Sequence, residues 1–243
     1  MIRIGPAGWT YKDWEGVVYP KARRGAFDAL EMMASIFDAV EINSSFHRSH
    51  RASTWQKWAE SVPEGFRFSA KLPKTVTHAK KLVDCDELVA AFLEEVKPLG
   101  DKLEVLLVQL PPKLAFDAAV ADGFLSDLKA RTGAAIACEP RHPSWFEDGA
   151  DALLARLEVA RVAADPAVVP EAARPGGWRG LEYWRLHGSP AMYRSAYGPE
   201  RLEPYAEAIR EAEAAGRRSW CMFDNTASSA ATGDALWLLR RLV

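Results

Sequence analysis

The chain has 243 residues, of which 49% are hydrophobic and 26% charged, and its formal net charge is −2. That balance suits a single α/β barrel, which typically needs about 250 residues, and offers no bulk positive field to recruit nucleic acid. No apolar run reaches the ~18 residues of a membrane span. The three cysteines, Cys85, Cys138 and Cys221, lack CxxC spacing. With no signal peptide in view, the expectation is a cytoplasmic protein with reduced, buried thiols.

Eight short apolar runs succeed one another: Ile2–Gly8, Phe37–Asn43, Phe66–Lys71, Leu103–Gln109, Ala134–Arg141, Val159–Asp165, Leu181–His187 and Arg218–Asn225. They lack polar alternation, as parallel strands covered on both faces do. Helical spacing fills most of the intervals. Helices are predicted over Ala26–Ser35, Thr54–Ser61, Asp86–Lys97 with Asp86 as N-cap, Asp117–Arg131, Asp148–Leu157, Glu200–Ala215 stopping at Gly216, and Ser229–Leu242. Between strands 6 and 7, Pro166–Gly180 carries Pro170, Pro175, Gly176 and Gly177 and no helical period. The predicted fold is α/β: a TIM-like (β/α)8 barrel, one domain over residues 1–243, lacking the helix between strands 6 and 7.

Nearly every strand run ends in hydrogen-bonding groups: Glu41, Asn43, Lys71, Gln109, Glu139, Arg141, Asp165, Arg185, His187, Asp224 and Asn225. Such groups at the exits of buried strands are costly unless they meet one another or a ligand, and barrel active sites lie at those ends. Alternation puts Glu41 with Asn43, Glu139 with Arg141, and Arg185 with His187 on shared faces. Glu41 or Glu139 would act as base and His187 as acid, while Arg141, Arg185 and Lys71 hold negative charge. A desolvated Lys71 could also form a Schiff base or accept a proton, although a plain ion pair is the simpler reading. His142, followed by Pro143, reads as a loop organiser near the ligand. Trp9 at the first exit could stack on a ring. Arg194, Ser195, Thr226, Ser228 and Ser229 follow strands 7 and 8, where barrel phosphate sites often form.

No organic-cofactor motif is present. A divalent metal is the less favoured reading, since the neighbouring cations compete for the same carboxylates. The expected partner is a small ligand bearing phosphate or carboxylate, with neither membrane nor nucleic acid. The alternative is a non-catalytic barrel binding a ligand or nucleic acid through Trp9, Tyr193 and rim arginines.

The motifs GWTYKDW (Gly8–Trp14), VEINSSFHR (Val40–Arg48), FRFSAKLPKTVTH (Phe66–His78), LLVQLPP (Leu106–Pro112), EPRHPSW (Glu139–Trp145), YWRLHG (Tyr183–Gly188) and FDNTASSAATGDA (Phe223–Ala235) follow in order. In this the chain resembles the YecE-like proteins, domain of unknown function seventy-two. The resemblance implies a TIM-barrel-like fold and no known reaction. Three positions depart from that pattern. Pro6 and Ala7 stand where hydroxyl residues are usual, His47 where tyrosine is common, and Asp224 where asparagine is common. His47 is among the candidate ligand contacts.

Overall fold

The computed structural model describes residues 1–11, 14, 18 and 26–242. Lys12 and Asp13 of the first motif lie outside the described residues. Two sheets carry the strands. One has the order β1 (Ile2–Pro6), β10 (Arg218–Phe223), β9 (Leu181–Leu186), β7 (Ala163–Asp165). The other has the order β2 (Ala39–Ile42), β3 (Arg67–Lys71), β4 (Leu103–Gln109), β5 (Ala135–Glu139), β6 (Val159–Arg161), β8 (Gly176–Gly177). Every pairing is parallel except β6 with β8. The sheets meet twice. A parallel bridge joins Ala7 to Glu41, with Gly8 N donating to Glu41 O at 2.8 Å. The chain also passes from β6 to β7 across the single residue Val162.

The sixth run therefore behaves differently from its expected single strand. Its first half pairs with β5 and its second half with β9. Val162 N still donates to Cys138 O at 2.8 Å. Between β7 and β9 the chain forms one 3-10 turn, Pro170–Ala173, and the two-residue strand β8, with no α-helix. Asp151 secures this return: its Oδ1 accepts from both Arg161 Nε and Gly177 N at 2.8 Å.

The helices are α1 (Ala26–Ala34), α2 (Ala52–Glu60), α3 (Asp86–Val96), α4 (Ala118–Arg131), α5 (Asp148–Arg156), α6 (Pro199–Ala214) and α7 (Ala230–Leu242). Asp117 caps α4, accepting from Ala119 N and Val120 N at 3.0 Å. Asp86 is not the cap of α3. Cys85 holds that position, and Asp86 sits in the first turn, where its charge meets the positive helix end. No helix among the described residues is long and apolar enough to cross a membrane.

Strand alternation divides the core in two. Leu106, Val108, Ile136, Cys138, Cys221 and Phe223 pack in the cluster that includes the helices. Val105, Leu107, Ala135, Ala137, Tyr183, Trp220 and Met222 point the other way, into a second cluster that holds no helix residue. Continuing that second parity toward the carboxyl ends gives Gln109, Glu139, Arg185 and Asp224. The fold thus lays an apolar plug at the base and polar groups above it on the same face.

Candidate functional site

Arg185 is fully buried and makes four bonds to carboxylates. Its Nε and Nη2 grip Glu41 at 3.0 and 2.6 Å, Nη1 reaches Glu139 Oε2 at 2.7 Å, and Nη2 reaches Asp224 Oδ2 at 3.1 Å. His187 lies between two of the same carboxylates. Its Nδ1 is 3.0 Å from Asp224 Oδ2 and its Nε2 is 3.0 Å from Glu139 Oε1. Arg141 Nη2 donates to Glu139 Oε1 at 3.0 Å and lies 3.4 Å from His187 Nε2, too long to compete with the carboxylate there. Tyr183 donates to Glu41 Oε2 at 2.9 Å, with Ser69 Oγ 2.9 Å from the same hydroxyl.

The electrostatics follow this geometry. Burial pushes the Glu139 carboxyl up, but Arg185 and then Arg141 outweigh it and hold the group well below the usual range. Burial likewise opposes ionisation of Asp224, and Arg185 with the His187 bond brings it below its ordinary value. For His187, burial and Arg185 disfavour the charge, yet the bonds to Asp224 and Glu139 raise the imidazole above 6.5. In the protonated form that this rise favours, both ring nitrogens donate and His187 is a cation. Arg185, Arg141 and His187 then balance Glu41, Glu139 and Asp224, three charges against three.

This balance has a pH signature. Glu139 and Asp224 are depressed, so their stabilisation is present above their unfolded values of 4.5 and 3.8 and is lost as pH falls through the folded values. His187 is raised, so its share is present below 6.5 and is lost as pH rises through the folded value. Denaturation midpoints should therefore fall on either side of the window from 4.5 to 6.5, and His187→Gln should flatten the alkaline limb. An alkaline limb unchanged in that variant would exclude the imidazolium.

Above the network opens a cavity of about 890 Å³, within the range of small-molecule sites. Among the expected residues, Trp9, Asn43, His47, Lys71, Gln109, Arg141 and Asp224 line it. Glu41, Glu139, Arg185 and His187 lie outside this lining, as a layer consumed in mutual ion pairs; Glu139 and His187 instead edge a small cleft of about 40 Å³ behind Arg141.

Asp165, Asn225 and His142 do not line the cavity, the first two for reasons of strand parity and the third because it organises its loop, as its sequence suggests. Asp165 and Asn225 belong to the opposite strand face. Asp165 accepts from Tyr197 Oη at 2.6 Å, and Asn225 donates to Asp234 Oδ2 at 2.7 Å. His142 caps the turn Pro143–Phe146 by accepting from Ser144 N at 3.3 Å. The loops after β9 and β10 do not supply the cations either: Arg194, Ser195, Thr226, Ser228 and Ser229 are absent from the cavity lining.

The basic groups come instead from the loops after β2 and β3. Arg48, His50, Lys74 and His78 line the cavity with Lys71 and Arg141. The sequence signal lies in FHRSH and KLPK, at or a few residues past each strand end. Burial followed by Lys71 lowers both His47 and His78; burial and Arg48 lower His50. Lys71 is buried at 7% exposure, and its Nζ lies 4.1 Å from the centre of the Phe46 ring. Burial and then Arg185 bring its ammonium down to about 8. No group of three or more His, Cys, Asp or Glu side chains among the described residues has an arrangement that could hold a metal ion.

Residues 3–243 match the family model described as "Protein of unknown function DUF72". The chain is similar to UPF0759 protein YecE of Escherichia coli (strain K12), at 30% identity over 150 residues, covering 61% of this chain and 52% of that protein. It thus spans about half the length of the curated relatives it matches. A DUF72 family protein from Thermotoga maritima MSB8 superposes with a TM-score of 0.83 at 24% identity, over 100% of this chain and 99% of that one. A xylose isomerase-like TIM barrel/4-hydroxyphenylpyruvate dioxygenase fusion protein shares the fold more distantly, with a TM-score of 0.52 at 14% identity over 88% of this chain and 39% of that one. With the family model covering the chain almost end to end, the protein belongs to the DUF72 family.

Proposed function

We propose that this protein is an enzyme that binds a small polar anion in the cavity and acts on it by acid/base chemistry. The two sheets serve as one eight-stranded barrel, with β6 and β7 counting as one strand, and the cavity is its mouth. One observation carries this reading. Among the described residues, the cavity wall presents Arg48, Lys71 and Lys74 in excess of its ion pairs: its one carboxylate, Asp224, is already held by Arg185 and His187, and its Arg141 by Glu139. A phosphate or carboxylate ligand completes that balance.

The geometry also redistributes the expected roles. A carboxylate held well below its usual range is a weak base, so Glu139 fixes the arginines instead of exchanging protons with the ligand, and Glu41 is committed by its hydrogen bonds to Arg185 and Tyr183. His47 and His78, neutral near pH 7 and open to the cavity, are the better proton carriers. Asn43 and Gln109 offer hydrogen bonds to uncharged parts of the ligand.

Thermal unfolding with pyrophosphate and citrate, at low and high salt, tests the binding. Both anions should raise the midpoint, less so at high salt, and Arg141→Met should weaken the affinity at least about tenfold, the loss of one charge-assisted bond. Absence of any anion effect, or unchanged affinity in folded Arg141→Met, overturns the reading. Turnover is sought by solvent-deuterium incorporation into a panel of phosphorylated and carboxylated metabolites.

A further inference from the structure

Lys71 stands apart from the ion-pair network around it. It ends β3 with the parity of the second cluster, more than nine-tenths buried, and its side chain reaches the cavity wall. Yet among the described residues its Nζ makes no hydrogen bond and no ion pair. The nearby carboxylates among the described residues are committed: Glu41 and Glu139 to Arg185, Asp224 to Arg185 and His187. Because that network balances internally, Lys71 is a surplus charge. A lysine meant only to neutralise a carboxylate would be expected within ion-pair distance of one. This one faces an aromatic ring on one side and open cavity on the other.

We propose that Lys71 is a covalent nucleophile that forms an imine with the aldehyde or ketone carbonyl of a small anionic substrate; this rests on the anion-binding reading above. The burial that strips water from Nζ keeps a useful fraction of it as free amine near neutral pH. The amine lone pair attacks the carbonyl carbon, forming the C–N bond, and the carbonyl electron pair moves to oxygen, which takes a proton. The nitrogen then gives up one proton, the carbinolamine hydroxyl takes a second one, and the C–O bond breaks with its electron pair leaving on water while the nitrogen lone pair forms the C=N bond. The resulting iminium withdraws electrons from the adjacent carbon, so a proton or carbon substituent there departs and leaves its electron pair behind. No oxidant or reductant is required. His47 and His78, both neutral and both influenced by the Lys71 charge, are placed to carry these protons. Arg48, Lys74 and Arg141 would anchor the substrate's negative group.

The probe is pyridoxal 5′-phosphate, an anionic aldehyde, beside its neutral counterpart pyridoxal. Each is incubated with the full chain, reduced with borohydride and mapped by peptide mass spectrometry. The expected result is a dominant reduced adduct of the phosphate probe on Lys71. Labelling should rise as pH passes about 8, inorganic phosphate should protect, and Lys71→Met should lose the adduct while retaining the wild-type circular dichroism spectrum. Lys71→Arg provides a second folded control. An unmodified Lys71 beside labelled Lys74 or surface lysines overturns the nucleophile. The anion-binding reading survives that result if pyrophosphate still raises the unfolding midpoint. If pyridoxal labels Lys71 as well as its phosphate does, without protection by phosphate, the nucleophile stands and the anion-binding reading falls.

Discussion

Arg185→Met should cost roughly 3–5 kcal/mol of folding stability, the usual penalty for removing one partner of a buried ion pair. The guanidinium supplies four of the hydrogen bonds that hold Glu41, Glu139 and Asp224 in a dry layer. Methionine leaves those carboxylates facing one another with Arg141, His187, Tyr183 and Asn43 for compensation. A domain stable by ~5–15 kcal/mol loses a large part of its margin. Acid distinguishes this mechanism from simple mispacking. Wild type should weaken on acidification, whereas the variant should recover part of its loss as a carboxyl protonates. Arg185→Lys should rescue little, because a point charge cannot reproduce the planar fork. Equilibrium denaturation in urea across pH measures all three. A variant within about 1 kcal/mol of wild type would show the network to be dispensable.

Gly5→Ala should be destabilising by about 3 kcal/mol, at the upper end for overpacking. A Cβ at Gly5 would lie 1.9 Å from the carbonyl oxygen of Ala39, an atom of the neighbouring backbone that no side-chain rotation can move. Relief requires β1 to draw away from β2, at the seam bridged by Ala7 and Glu41. Since Glu41 is also a ligand of Arg185, the strain should reach the buried network. Native-state hydrogen exchange should show the Gly8 amide, which donates to Glu41 O, losing protection ahead of the β4–β5 pairing. Wild-type protection there would show the close approach to be tolerant.

The strands were legible because apolar runs without alternation are a strong signal, and seven of the eight runs contain one observed strand each. The eighth, Val159–Asp165, hid its change of partner at Val162. Nothing in VARVAAD distinguishes a strand with one set of neighbours from a strand that swaps sheets, since that depends on the approach of β9. β8 was equally hidden: two glycines carry no strand pattern, and they are held by antiparallel pairing with β6 and by Asp151 of α5. At the site, polar strand ends were visible but their depth was not. Asp165 and Asn225 looked equivalent to Glu139 and Asp224 until the second cluster fixed which parity faces the cavity. The arginine-centred pairing was foreseeable in kind. That it would withdraw Glu41 and Glu139 from the cavity required distances.

Anion binding at the proposed site would be coupled to protons through the three histidines of the cavity. His47, His50 and His78 are each displaced below 6.5 by burial and by neighbouring cations. An anion seated among them reverses the second influence and draws their affinity for protons upward. Occupation should therefore take up protons from the medium. Calorimetric titration of pyrophosphate in buffers of different ionisation enthalpy should give enthalpies that scale with the buffer's own, and the slope counts the protons absorbed. By linkage, a mildly acidic solution should tighten the complex, and His78→Asn should reduce both the slope and the pH dependence together.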